Sequence, residues 1–294
     1  MELCNYVIVD DKHNIIDSST SLPKRVEIHS CAKPFQLLPV CLLGLDDKYC
    51  LTPDDLAIMS SSSIAQDIHV KTIESLMNKA HIQIDSLQLE AVAPTGTIAY
   101  ANWAKASLSK SSLYHQCIGN HIAMFLAQRE LVGDGTDYLL PNSAIQEMIF
   151  SIVKELFCCS EQDISVEKDN CGAPCYVVSL QSLAIGYCNL CIGKSSIENP
   201  YSNEINQIRA AFGMFPTLLE GDGCLSTIIT SSTGLIGKTG SNGILGIGVD
   251  DFKYGMAIYS PSKCWKNVAQ TAQVLLLRIG NKDKKLFEAL SNVR

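Results

Sequence analysis

Apolar residues recur along the chain at two different spacings, and the spacing changes at definite points. Residues 4–19 hold two short runs, CNYVIV and NIIDSS, rich in β-branched and aromatic side chains and separated by the turn-forming DDKH; the pattern predicts a β-hairpin. From Ser30 the apolar residues close up, predicting a helix through Leu42. TPDDLAIMSSSS, from Thr52, reads as a capped short helix that runs into a serine cluster. Residues 67–80 place Ile68, Ile73 and Met77 on one side of a helix. Residues 119–131 and 143–157 predict further helices, the second strongly amphipathic. A β-like run near 176–180 precedes a helix over LQSLAIGY. Between 228 and 260 the pattern turns glycine-spaced and β-rich, predicting adjacent strands, and residues 265–280 and 283–291 return to helical spacing.

Strands thus gather at both chain ends and helices fill the middle. The economical architecture is α/β of the α+β type: one sheet made by the N-terminal hairpin and the late strands, with a mainly helical region inserted. This divides the chain into a sheet lobe of residues 1–29 and 222–294 and a helical lobe of residues 30–221, forming one unit. No repeat and no low-complexity linker interrupts it.

Composition narrows the function classes. With 47% hydrophobic and 18% charged residues, the 294-residue chain is globular rather than disordered. A net charge of −7 argues against nucleic acid as a partner, and the KDKK at 282–285 reads as solvated helix surface. No run approaches the roughly 18–20 apolar residues of a membrane helix. The opening MELCNYVIVDDKHN lacks the basic start and apolar core of a secretion signal. The cysteine count is thirteen, an odd number. Free thiols in a reducing cytoplasm are therefore expected, with Cys41, Cys50, Cys188 and Cys191 as small core residues.

The chemistry starts at Ser30-x-x-Lys33. The same spacing recurs at Ser21, Ser107, Ser151, Ser165 and Ser260, so spacing alone selects nothing. Ser30 differs in following a β-like stretch and opening an apolar helix, where a hydroxyl meets the positive end of the helix dipole. It also has a companion, Lys238-Thr239-Gly240, in the β-rich region. S-x-x-K early and K-T-G late belong to serine acyl-transfer enzymes that use lysine as base. Serine is a poor nucleophile until a neighbour takes its proton, and burial beside a second lysine lowers an amine's pKa enough for it to do so. The glycine of K-T-G lets its strand lie close to a substrate. The S-D-N element of penicillin-recognising enzymes is missing; Ser202-Asn203 is a poor substitute.

Five blocks, in order, carry a wider resemblance. They are HSCAKPFQLLP (29–39), CIGNHIAM (117–124), DNCGAP (169–174), KTGSNG (238–243) and the tail YGMAIYSPSKCWKNVAQTAQVLLLRIG (254–280). Together they resemble the rhizobial-type (thermolabile) L-asparaginases, the asparaginase II family, whose blocks read RS-x-x-KP-x-Q-x-LP, CSGKHAGM, DGCG-x-P and K-x-GAEG. The resemblance implies a serine β-lactamase/glutaminase-like architecture, a homodimer, and hydrolysis of asparagine to aspartate and ammonia. No cofactor is required by that chemistry. It also implies two facing couples, Ser30 with Lys33 and Ser62 with Lys238. Asp169 would hold the substrate's α-amino group, and Cys117 and Cys171, beside the site, would share a zinc ion. His29 stands where the family has arginine, SSIAQ (62–66) where it has SHSGE, Asn120 for lysine, Asn242 for glutamate and Cys224 for arginine.

These expectations leave three functions open. The first is an amidohydrolase acting on a small amino-acid amide, with Ser30 or Ser62 attacking, His29 orienting the site, and backbone N–H groups at Ser30 and near Thr239 holding the oxyanion. The second is a related acyl-transfer enzyme for glutamine or β-lactams. The third is a non-catalytic amino-acid-binding relative. Zinc-like spacing also occurs at Cys171-x-x-x-Cys175 and Cys188-x-x-Cys191, the second reading as core packing; Asn120 and His121 are the third-ligand candidates for Cys117 and Cys171.

Overall fold

Among the described residues, eight strands form two sheets: β1 (Asn5–Val9), β2 (Ile15–Ser18), β3 (Val26–Glu27), β4 (Ser165–Lys168), β5 (Pro174–Val178), β6 (Leu235–Gly240), β7 (Ile244–Val249) and β8 (Tyr254–Tyr259). The structure, a computed structural model, describes residues 4–192 and 200–293. The larger sheet is antiparallel throughout, in the order β2-β1-β8-β7-β6. It joins the N-terminal hairpin to the late strands, as the terminal placement of β-rich runs predicts, and the mixed α/β class is borne out.

Strands β1, β7 and β8 read as largely apolar runs because both their faces are covered, whereas the edge strand β2 is mostly exposed. Val7 and Val9 of β1 join the core shared with the inserted helices. Tyr6 and Ile8 face the other way, into a second core with Leu245, Ile247 and Met256 under the helices Trp265–Arg278 and Lys284–Ser291. On the first face the helix Leu180–Ile192 lies directly on β7 and β8. That contact explains the glycine spacing. A Cβ on Gly255 would sit 1.9 Å from the Ala184 carbonyl oxygen, and one on Gly246 2.1 Å from the Tyr187 ring. Only glycine permits so close a backbone approach.

The region from 228 does not begin as strand. Leu225–Thr230 is a helix, and its hydroxyls cover the free edge of β6. Gly237 N–H donates to Thr230 Oγ1 at 2.9 Å, and Thr239 N–H to Ser226 Oγ at 3.0 Å. This closes an edge that would otherwise offer unpaired donors and leaves Lys238 pointing to the other side of the pleat.

The second sheet runs in the order β3-β5-β4; β3 comes from the N-terminal segment, while β4 and β5 lie within the span expected to be mainly helical. Its central strand is the run read near 176–180; β3 and β4 are too short to register as periodic. Two long helices also went unpredicted, Thr97–Lys105 and Ser202–Met214, as did the single turns Leu45–Lys48 and Thr217–Glu220. The first buries only Ala99 and exposes Ile98 and Tyr100, so it has no apolar stripe to read. The predicted helix from Ser30 is a 3-10 turn, His29–Ala32, leading into Lys33–Leu42. Phe35 of that helix packs edge-on against Phe157 and Tyr187, which fixes the start of the helix against the core.

Candidate active site

Three elements converge. The 3-10 turn carries His29 and Ser30. The loop after the helix Pro53–Met59 carries Ser60–Ser63, and β6 carries Lys238 and Thr239. Cys31 ties the turn to β6, its Sγ lying 3.1 Å from the Lys238 carbonyl oxygen, while Tyr187 Oη donates to the Cys31 carbonyl at 2.9 Å. Gly240 is needed here for a reason other than substrate approach: a Cβ would meet the Ile28 carbonyl oxygen at 2.4 Å. The strand presses on the turn that presents Ser30.

Both lysines are buried, and both serines are half-buried. Lys238 Nζ donates to Ser62 Oγ at 2.8 Å and to the Thr239 carbonyl at 2.9 Å. Burial pushes the Lys238 amine down to about 8. Glu220 opposes that shift, and the charge of Lys33 adds to it, so the two lysines feel one another. Ser62 and Lys238 are therefore in direct hydrogen-bond contact, the geometry that a nucleophile and its base require.

The other couple is arranged differently. Lys33 Nζ donates to the Ser61 carbonyl at 2.5 Å and reaches the Gln116 carbonyl at 3.5 Å. No hydrogen bond joins it to Ser30, whose hydroxyl has no partner among the described residues. Lys33 instead ties the 3-10 turn to the serine loop one residue before Ser62.

Thr239 and its neighbours are committed internally. Thr239 Oγ1 donates to Glu220 Oε1 at 2.8 Å, and Ser226 N–H donates to Glu220 Oε2 at 2.9 Å. The Thr239 N–H, expected as an oxyanion donor, is already held by Ser226. Glu220 escaped the sequence reading because it lies outside the resemblance blocks and has no pattern of its own.

His29 has a left-handed backbone, φ 44°. Its Nε2 lies 3.0 Å from Glu27 Oε2 and 3.1 Å from Asn242 Nδ2, and its Nδ1 lies 3.4 Å from Asp169 Oδ1 and 3.6 Å from Cys175 Sγ. A carboxylate only accepts, so Nε2 carries a hydrogen toward Glu27, and the Asn242 amide is better turned with its oxygen facing the ring. Burial works against a charge on His29, but Asp169 and Cys175 outweigh it and raise the imidazole to about 10. Burial likewise works to raise Asp169, and the His29 and Asn170 hydrogen bonds hold it below the usual carboxylate range. A cation thus stands at the arginine position of the family pattern.

Cys117 opens the helix Ile118–Val132 and meets Cys171. The Cys171 thiol and the Lys33 charge hold Cys117 well below the ordinary thiol range, while Cys171 is pushed up. His121, bonded through Nδ1 to Tyr138 Oη at 2.7 Å, is lowered to about 3 by burial and stays neutral. Its Nε2 and the Asn120 amide nitrogen are buried without partners. Zinc takes about four ligands. Among the described residues, no third His, Cys, Asp or Glu ligand atom clusters with the two thiols, and Asn120 is a feeble donor. This set does not fit a shared zinc ion.

The thirteen cysteines are all free. Cys41, Cys188 and Cys191 are buried as expected; Cys50 is exposed, lifted from the core at the end of a short helix with φ 51°. A surface hollow of about 520 Å³, lined by Gln88, Leu139 and Glu167 among others, contains none of the Ser–Lys groups, so chemistry rather than volume locates the site.

The family model for L-asparaginase II matches residues 2–289. The chain belongs to the L-asparaginase II family. It is accordingly an asparaginase-like amidohydrolase. No curated protein matches it in sequence. A solved structure, that of a candidate β-lactamase from Bacteroides dorei DSM 17855, is 12% identical, with a TM-score of 0.45 over 87% of this chain and 84% of that one; so slight a likeness carries no argument. No helix among the described residues is long and apolar enough to cross a membrane.

Proposed function

We propose that the protein hydrolyses the side-chain amide of L-asparagine to L-aspartate and ammonia, with Ser62 as nucleophile and Lys238 as its base. The observation that carries this reading is the 2.8 Å bond from Lys238 Nζ to Ser62 Oγ, together with an amine lowered to about 8. Neutral Lys238 takes the Ser62 proton as the oxygen attacks the amide carbon, and the proton passes to the departing ammonia. Water then cleaves the ester, with Lys238 as base again. Asp169, held anionic, attracts the substrate's α-ammonium, and the positive His29 attracts its α-carboxylate. Lys33 fixes the loop that presents Ser62.

One observation favours a second reading. The Ser30 hydroxyl is half-buried and has no hydrogen-bond partner among the described residues, available to attack once substrate draws Lys33 toward it. Ammonia release from asparagine by the purified protein, set beside glutamine and a β-lactam panel, tests the substrate. Ser62→Ala abolishes release if Ser62 attacks, and full activity in that variant overturns the assignment.

A further inference from the structure

The zinc-spaced Cys175 is given no contact with substrate in the reading above; its sulfur faces His29 Nδ1 at 3.6 Å. We propose that His29 Nδ1, Asp169 and Cys175 Sγ form a three-ligand site for zinc or a similar divalent transition metal, beside the Ser–Lys centre and separate from the Cys117–Cys171 pair. Among the described residues this is the set of His, Cys and acidic groups whose ligand atoms all lie within 4.8 Å of one another.

The spacing fits a metal better than it fits hydrogen bonds alone. Bonds of about 2.0–2.1 Å to nitrogen and oxygen and about 2.3 Å to sulfur, at tetrahedral angles, put N and O about 3.3 Å apart and N and S about 3.6 Å apart. The observed separations are 3.4 Å and 3.6 Å. A charge-assisted imidazolium–carboxylate bond would be shorter, about 2.7–2.9 Å. The third separation, from the Asp169 carboxylate to Cys175 Sγ, is within 4.8 Å, so the ring nitrogen faces both groups without being drawn onto either.

The surroundings are those of a metal-binding histidine. Glu27 holds Nε2–H at 3.0 Å, which leaves Nδ1 to the metal and makes the ring a better donor. Backbone pairing sets the positions: Glu27 opposes Val177, and Ile28 N–H donates to the Tyr176 carbonyl at 3.0 Å, so the histidine turn and the cysteine strand move as one. Asp169 enters from a tight turn closed by its own carbonyl and the Gly172 N–H at 2.8 Å. His29 and Cys175 are buried, while Asp169 is 18% exposed on its side chain, leaving a fourth position for water. One thiolate, one imidazole and one carboxylate suit zinc and exclude magnesium or calcium, which take oxygen donors. On binding, the metal displaces the Nδ1 proton and the Cys175 thiol proton. Occupation engages the carboxylate assigned above to the substrate's α-amino group, which makes the site a brake on that reaction; this consequence rests on the functional reading, whereas the site does not.

Cobalt(II) titration of the full chain, stripped with chelator, tests the site directly. A Cys117→Ser/Cys171→Ser background removes the neighbouring thiols. The expected result is one cobalt per chain with a thiolate-to-cobalt charge-transfer band and the intense visible bands of a tetrahedral ion, both displaced by zinc. Adding Cys175→Ser abolishes the charge-transfer band, and Glu27→Gln, on a half-exposed residue, weakens zinc binding about 10-fold or more. A background protein with no thiolate band, or a band that survives Cys175→Ser, overturns the proposal. The spectrum reads the metal itself, so absence of ammonia release has no bearing on it.

Discussion

Lys238 Nζ donates a 2.8 Å hydrogen bond to Ser62 Oγ across 176 positions of sequence. The amine is wholly buried and lowered to about 8, so near neutral pH about one molecule in ten carries it unprotonated. A base is competent only when neutral. The kcat/KM for asparagine should therefore rise about tenfold per pH unit below 8 and level off above. Glu220 raises this pKa, so Glu220→Gln should move the inflection to lower pH. A profile flat from pH 6 to 9 would show that Lys238 is not the base.

The helix that rests on β7 and β8 depends on bare backbone. Gly255→Ala drives a Cβ to 1.9 Å from the Ala184 carbonyl oxygen, and backbone is what it meets. A loss of about 1–3 kcal/mol or more is expected in urea denaturation. Gly213, in a helix with nothing within 4 Å of its missing Cβ, makes the contrast: Gly213→Ala should be neutral or add up to about 1 kcal/mol.

Thr239 should behave as a structural residue. Its hydroxyl is buried and committed to Glu220 Oε1 at 2.8 Å. Thr239→Val strands that oxygen and should cost about 1–3 kcal/mol of stability while leaving the KM for asparagine unchanged. A raised KM with unchanged stability would return Thr239 to the substrate.

Of the two exposed cysteines, Cys158 should react faster than Cys50. It is exposed, its Sγ lies 3.5 Å from His13 Nδ1, and His13 Nε2 lies 3.0 Å from Asn189 Oδ1. The His13 pKa is raised, chiefly by its contact with Cys158, and a basic side chain beside an exposed sulfur is the setting of reactive cysteines. Mass-spectrometric mapping of brief iodoacetamide labelling should find Cys158 ahead of Cys50, which is also exposed, with the lead lost in His13→Ala.

The legible parts of the chain were those where one residue type answers one physical need. The hairpin, the glycine-spaced strands and the amphipathic helix at 143–157 follow from period and turn chemistry. The helix Ser202–Met214 was also written in the pattern, since Ile205, Ile208, Ala211 and Phe212 are its buried residues. Lys238 stood out by its tripeptide, and Ser62 only by family resemblance, because nothing local distinguishes one serine of four. The partners of Lys33 are backbone carbonyls from residues 61 and 116, which no side-chain pattern encodes. The purpose of Gly240 was misread for a related reason: a strand glycine reports a close neighbour without saying whether it is substrate or the chain's own turn. Glu27 and Cys175 meet His29 through pairing of strands two to five residues long, too short for periodicity to reveal.

Identifying the serine that carries the acyl group is the most direct test. The protein is mixed with asparagine, quenched in acid within its first turnovers, digested and mapped by mass spectrometry. The account predicts an aspartyl ester on the peptide containing Ser62, absent in Lys238→Met. An ester on Ser30, or ammonia released at the wild-type rate by Ser62→Ala, would contradict it.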